Sequence, residues 1–185
     1  MNFLPLMFRM KYIRRWGLMW NSQDENLSEH VLETALIANL LASIGNEFFN
    51  KNYNVEKITT VALFHDASEI LTGDLPTPIK YYNDELTMAY KNIEKNAEKK
   101  LIKTLPKELQ PIYEGYFIEN EIVKIADKLA AYIKCLKELN VGNKEFVQAE
   151  KNIKKALERI DSPELTYFLE NCIDAFTLSL DELTD

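Results

Sequence analysis

Phe64-His65-Asp66-Ala67-Ser68-Glu69-Ile70-Leu71-Thr72-Gly73-Asp74-Leu75-Pro76-Thr77-Pro78 holds one of the chain's two histidines and three carboxylates in fifteen residues. Asn54 is placed to cap a helix over about 55–72, and Gly73 suits its C-terminal turn. On such a helix Glu69 lies i+4 from His65 and i+3 from Asp66, so the three side chains share a face. The segment Asp74-Leu75-Pro76-Thr77-Pro78 is the most proline-dense in the chain and predicts a rigid non-helical loop.

The other histidine, His30, falls in the first turn of a long helix that Ser28 starts and that runs through Phe48. Leu32, Ala35, Leu36, Asn39 and Leu40 give this helix an apolar stripe with one polar interruption. Before it, residues 3–14 read as a short helix ending near Trp16-Gly17. After the proline-rich loop, Asn83 caps a polar helix over about 84–104, and a short piece follows Pro106. Helices over about 119–140, 143–160 and 163–180 complete the chain, with breaks at Gly142 and Pro163. The expected fold is all-α: a single domain over residues 1–185, a bundle of six or seven helices with essentially no strand.

Composition agrees. With 185 residues, five glycines and six prolines, the chain can bury a sizeable core and favours helices over turn-rich β architectures. The net charge of −7 provides no basic face for nucleic acid. The N-terminal MNFLPLMFRMKYIRRW is apolar at first, but Arg9 and Lys11 interrupt it and no small-residue cleavage site follows. It is expected to be neither a signal peptide nor a membrane span. Cys135 and Cys172 sit among apolar residues and read as reduced, packed thiols, which suits a cytoplasmic protein.

Asp127 falls near the middle of the 119–140 helix beside Ala126, Ala130 and Ala131. Three helices can therefore deliver His30, His65, Asp66 and Asp127 to one point. Two imidazole nitrogens and two carboxylate oxygens suit one divalent transition metal such as Mn, Co, Fe or Zn. Four protein ligands on a six-coordinate ion leave room for water and a phosphate oxygen. Glu69, beside such a centre but not needed as a ligand, can orient the water or move its proton. The plainer alternative is a pair of histidines satisfied within the core.

The stretches Arg15-Trp16, Glu25-Asn26-Leu27-Ser28-Glu29-His30, Phe64 to Tyr81, Lys124-Ile125-Ala126-Asp127-Lys128-Leu129-Ala130-Ala131-Tyr132-Ile133-Lys134-Cys135-Leu136, and Phe176-Thr177-Leu178-Ser179-Leu180-Asp181-Glu182 resemble the YfbR-like 5′-deoxynucleotidases of the HD-domain phosphohydrolase superfamily. The likeness spans nearly the whole chain. It implies a metal-dependent enzyme that releases phosphate from deoxyribonucleoside 5′-monophosphates and works as a homodimer. It further implies that His30, His65, Asp66 and Asp127 bind the metal and that Glu69 assists the water. Arg15 would orient the phosphate and Trp16 would border the sugar. Asp74, Leu75, Pro76 and Thr77 would contact the substrate. Trp20 and Gly17 depart from the family pattern near the substrate-facing segment, as does a shorter stretch before Glu121. Trp20 adds a second indole near the sugar or base.

Each of these roles has a bland counterpart: Arg15 as a surface charge, Trp16 as a core-closing aromatic, Asp74 as a turn residue. Two further functions compete with the deoxynucleotidase. One is an HD phosphohydrolase acting on dNTPs or guanosine tetraphosphate, although two histidines exclude a histidine-rich binuclear centre. The other is a non-catalytic helical regulatory protein with a structural metal.

Overall fold

The computed structural model describes residues 1–80 and 82–184, with Thr77 described by its backbone alone. Tyr81, part of the matched stretch, and the Thr77 side chain, expected to touch substrate, therefore lie outside the described residues.

The chain begins with α1 (Phe3–Met7), which tightens into a 3-10 turn over Phe8–Tyr12. Two long stretches follow, α2 (Leu27–Phe49) and α3 (Val55–Phe64), then two single turns, α4 (Glu69–Thr72) and α5 (Thr77–Lys80). Next come α6 (Asp84–Ile102), α7 (Gln110–Glu114) and α8 (Glu121–Asn140). The chain ends with α9 (Val147–Leu157), α10 (Pro163–Asn171) and α11 (Leu180–Thr184), and 3-10 turns cover Lys144–Phe146 and Ile173–Thr177. The all-helical class holds among the described residues, but the segments are shorter and more numerous than the six or seven expected.

Three differences from the sequence reading have local causes. First, α2 starts at Leu27, because Asn26, not Ser28, is its cap. The Asn26 side chain accepts from the Ser28 and Glu29 amides at 3.0 and 3.2 Å, and Glu29 Oε2 accepts from the Asn26 amide at 2.9 Å. This reciprocal box satisfies donors that a helix start leaves open. Second, the helix expected over 55–72 breaks after Phe64. The Ala67, Glu69 and Ile70 amides bond three residues back, at 3.0–3.2 Å, to Phe64, Asp66 and Ala67. Third, the proline-rich loop is not wholly non-helical: the Pro76 carbonyl accepts from the Ile79 and Lys80 amides at 2.8 and 3.1 Å and starts α5. The expected 163–180 helix likewise gives way at Cys172 to a 3-10 turn.

Helix α2 is the hub, packing on α3, α8 and α10. By length and composition it could cross a membrane, yet 56% of its most apolar window is buried inside the fold. Its buried face includes Ala35, Ala38, Leu41 and Ala42, which meet Ile58, Val61, Ala126, Leu129, Ile133 and Phe168. Each fully buried Val, Leu, Ile or Phe side chain contributes about 1.5–3 kcal/mol. Of the apolar stripe read from the sequence, Ala35 joins this core, whereas Leu32, Leu36 and Leu40 are 56%, 63% and 43% exposed. A second core gathers Phe3, Met10, Leu27, Ala67 and Leu101 and fastens the N-terminal segment over the start of α2 and the 65–68 turn.

Candidate active site

The 65–68 turn brings His65 and Asp66 to one place. Here His65 Nε2 lies 3.2 Å from Asp66 Oδ2. His65 Nδ1 donates to the Ala62 carbonyl at 2.7 Å, which leaves Nε2 buried and without a hydrogen-bond partner. His30, fully buried one turn into α2, sets Nε2 3.5 Å from Asp66 Oδ2 and 3.1 Å from Asp127 Oδ1 of α8. Ligand atoms of His30, His65, Asp66 and Asp127 all lie within 4.8 Å of one another. The four residues expected to meet do meet, and the orphaned His65 nitrogen, turned inward, fits a metal.

The charges are interdependent. Burial pushes the His65 pKa down, but the nearby Asp66 carboxylate, the Asp127 charge and the Ala62 carbonyl outweigh it and hold the ring up at about 9. Burial also acts to raise Asp66 and Asp127. For Asp66 the two facing histidines prevail, the His65 charge first, and for Asp127 the facing His30 ring leads. Both carboxyls end below their usual range. This is a pocket of carboxylates balanced by imidazolium protons, the charge pattern that a divalent cation replaces.

Glu69 opens α4 and is 5% exposed. Its Oε2 has no hydrogen-bond partner. Burial first, then the Asp66 and Asp74 charges, push its pKa up to about 9 against the pull of Arg15 and Lys80. It is a buried carboxyl within electrostatic reach of Asp66, Asp74 and Arg15. Asp74 follows Gly73, whose φ of 76° turns the chain out of α4. Burial and Asp66 raise Asp74, while Arg15, His30 and Lys80 oppose them. Tyr90 of α6 steadies this turn by donating to the Gly73 carbonyl at 3.3 Å. Leu75 and Pro76 are half-buried beyond Asp74 and make no described hydrogen bond to the ligand set.

Arg15 and Trp16 come from an irregular strand-like segment. Arg14 forms an isolated antiparallel bridge with Asn26, and the Arg15 amide donates to the Glu25 carbonyl at 3.0 Å. Arg15 is no surface charge: its side chain is 12% exposed, with Nη1 3.4 Å from Asp66 Oδ2. Burial acts to lower its pKa, but Asp66, Asp127, Glu25 and Asp74 together raise it. Trp16 adopts φ 57°, a costly conformation for a bulky residue, about 1–3 kcal/mol. Its ring lies 5.2 Å from that of Phe146, and its Nε1 donates to Glu25 Oε2 at 3.2 Å. Trp20, by contrast, is 67% exposed, with its carbonyl tied to Asn143 at 3.0 Å.

Glu25 was missed by sequence reasoning as a site residue. No spacing or periodicity connects it with Arg15, Trp16 or His30. Only its place next to the helix cap, opposite Arg15 across the bridge, could have drawn attention to it.

Comparisons with known proteins agree with this geometry. Residues 2–176 match the family model described as 5′-deoxynucleotidase YfbR-like. A protein of Yersinia pestis (strain Pestoides F) named 5′-deoxynucleotidase is 50% identical over 190 residues, covering 99% of this chain and 96% of that protein. A Yersinia pseudotuberculosis (strain YPIII) protein of the same name matches equally. Among solved structures, an HD-domain phosphohydrolase of Listeria innocua superposes with a TM-score of 0.84 at 23% identity, covering 99% of this chain and 92% of that one. The cyanophage S-2L HD phosphohydrolase DatZ, bound to dA and one catalytic Zn²⁺ ion, superposes at 0.65 with 22% identity over 92% and 95% of the two chains. These structural likenesses speak for the helical fold. The near-complete match to the family model and the relatives at 50% identity place this chain in the YfbR-like 5′-deoxynucleotidase family.

Proposed function

We infer that this chain is a metal-dependent 5′-deoxynucleotidase that hydrolyses deoxyribonucleoside 5′-monophosphates to deoxyribonucleoside and phosphate. The observation that carries the reading is the convergence of His30, His65, Asp66 and Asp127 within 4.8 Å, with the Arg15 guanidinium 3.4 Å from Asp66. A cation beside a metal-fit cluster suits a phosphate group, and the named relatives supply the substrate class.

The Nε2 atoms of His30 and His65 and the carboxylates of Asp66 and Asp127 would hold one divalent transition metal of the Mn, Co, Fe or Zn class. When bound, the ion supplies Lewis acidity toward a phosphoryl oxygen and makes water easier to deprotonate. Arg15 orients the phosphate through its Nη groups and offsets charge developing on its oxygens. Glu69 Oε2 holds the proton taken from the attacking water. The water oxygen bonds to phosphorus, the bond to the 5′-oxygen breaks, and that oxygen receives a proton as the nucleoside leaves. Trp16 borders the sugar, where an indole with its one donor already engaged offers a ribose 2′-hydroxyl no partner. The 74–77 segment contacts the nucleotide.

The enzyme acts as a homodimer in this reading. Leu32, Leu36 and Leu40 recur every four residues along one exposed face of α2, which suits a self-complementary contact. Two free cysteines suit the reducing cytoplasm.

Product analysis tests the activity. Inorganic phosphate from dAMP, dGMP, dCMP, dUMP and TMP, dependent on added Co²⁺ or Mn²⁺ and stopped by chelator, is the expected result. Release of pyrophosphate or tripolyphosphate from guanosine tetraphosphate or dNTPs, with none from the monophosphates, would replace this reading with the other hydrolase.

A further inference from the structure

The assignments above leave unexplained a carboxylate that touches three of their members. Glu25 is 9% exposed and stands just before the cap of α2. Its Oε1 accepts from Arg15 Nε at 3.1 Å, and its Oε2 accepts from Trp16 Nε1 at 3.2 Å. The same Oε1 lies 3.6 Å from His30 Nδ1, a buried nitrogen with no hydrogen-bond partner of its own. We propose that Glu25 is a positioning residue for the reaction, one carboxylate that sets the phosphate-facing Arg15, the sugar-facing Trp16 and the metal-facing ring of His30.

The geometry supports each part. Glu25 engages Arg15 at Nε, which leaves the Nη end for the ligand cluster, where Nη1 already approaches Asp66. An indole has a single donor, so the bond to Oε2 fixes the direction in which the Trp16 ring extends. Consecutive residues of an extended chain point to opposite faces. Arg15 and Trp16 nevertheless meet one carboxylate, where Trp16 departs from extended geometry with φ 57°. Toward His30, a negative charge facing Nδ1 favours the tautomer with its proton there and the lone pair on Nε2, on the side of Asp66 and Asp127. A carboxylate behind a ligating imidazole supports metal affinity by about 10–100-fold in known sites.

Glutamine at this position keeps size and shape but loses the charge and one acceptor, so the two donors of Arg15 and Trp16 no longer find two oxygens. The proposal rests on the site reading given above, and its test separates the two. In a Trp20→Phe background, where Trp16 is the sole indole, Glu25→Gln is compared with the parent by thermal unfolding, Co²⁺ titration, acrylamide quenching and deoxy-to-ribo rate ratio. The expected result is a folded variant with Co²⁺ affinity down about tenfold or more, a more quenchable indole and a lower ratio. Glu25→Asp, which keeps the charge on a shorter arm, is expected to fall between the two. A folded Glu25→Gln with unchanged Co²⁺ affinity, quenching and ratio would overturn the proposal. The titration and quenching stand even if the parent protein hydrolyses no deoxynucleotide, an outcome that would sink the parent reading alone. A measurement on the unaltered chain does not depend on the variants folding. The Trp16 indole N–H should exchange with D₂O far more slowly than that of exposed Trp20, and equal rates would overturn the assignment.

Discussion

His65 donates its Nδ1 proton to the Ala62 carbonyl at 2.7 Å, and this one bond decides that Nε2 faces Asp66 3.2 Å away. His65 and Asp66 both belong to the tight turn between α3 and α4. His65→Ala and Asp127→Ala are each expected to leave the helical far-ultraviolet spectrum intact and to remove stoichiometric metal. Metal analysis of the purified variants checks this. Full retention of metal by either would exclude that residue as a ligand.

Glu69 sits beside these ligands with an unpartnered oxygen. Glu69→Gln should keep the metal and lower kcat by about 10²–10⁴-fold, the range for loss of a general acid–base group. Single-turnover phosphate release with metal content measured in parallel decides the matter, since loss of both together would make Glu69 a ligand instead.

Away from the site, Glu138 is 1% exposed and ties the 20–23 loop to α8. It accepts from the Ser22 amide at 3.0 Å and from Asn143 at 2.8 Å, and pairs with Lys134. Burial acts to raise its pKa, but Lys134, Asn143 and Ser22 hold it down at about 2 against an ordinary 4.5. The folded value lies below the unfolded one, so the stabilisation is complete above about pH 4.5 and is lost as pH falls toward 2. It is on the order of 3 kcal/mol at neutral pH. Urea unfolding of the wild type and Glu138→Gln should differ at pH 7 and converge in acid. Parallel curves across that range would contradict the assignment.

Leu36, 63% exposed at the centre of the α2 stripe, provides a test of assembly. Leu36→Glu should convert a dimer into a folded monomer, as read by light scattering on a sizing column, with little change in unfolding enthalpy. A wild type that is already monomeric at micromolar concentration would refute the proposed interface.

Capping chemistry made much of the helical layout legible in the sequence. Asn54 and Asn83 cap α3 and α6, accepting from the Lys57 and Leu86 amides at 2.9 and 2.7 Å. The histidine–aspartate cluster was legible too, because histidine is scarce and His65-Asp66-x-x-Glu69 is compact. The break at residue 65 was not, because no glycine or proline marks a turn made of ordinary residues bonding three back. Which face of α2 meets the core was not legible, because both of its sides are apolar and periodicity does not say which one finds a neighbour. Glu25 was illegible for a different reason. Its partners are Arg15 and Trp16 across an irregular bridge and His30 on the following helix, contacts that tertiary folding creates.

Rates of phosphate release from dAMP and AMP, measured side by side with Co²⁺ and then with chelator, test the central claim most directly. The account predicts metal-dependent release that strongly favours dAMP and ceases with chelator. Equal metal-independent rates on both nucleotides, or no release from either, would contradict a deoxynucleotidase built on His30, His65, Asp66 and Asp127.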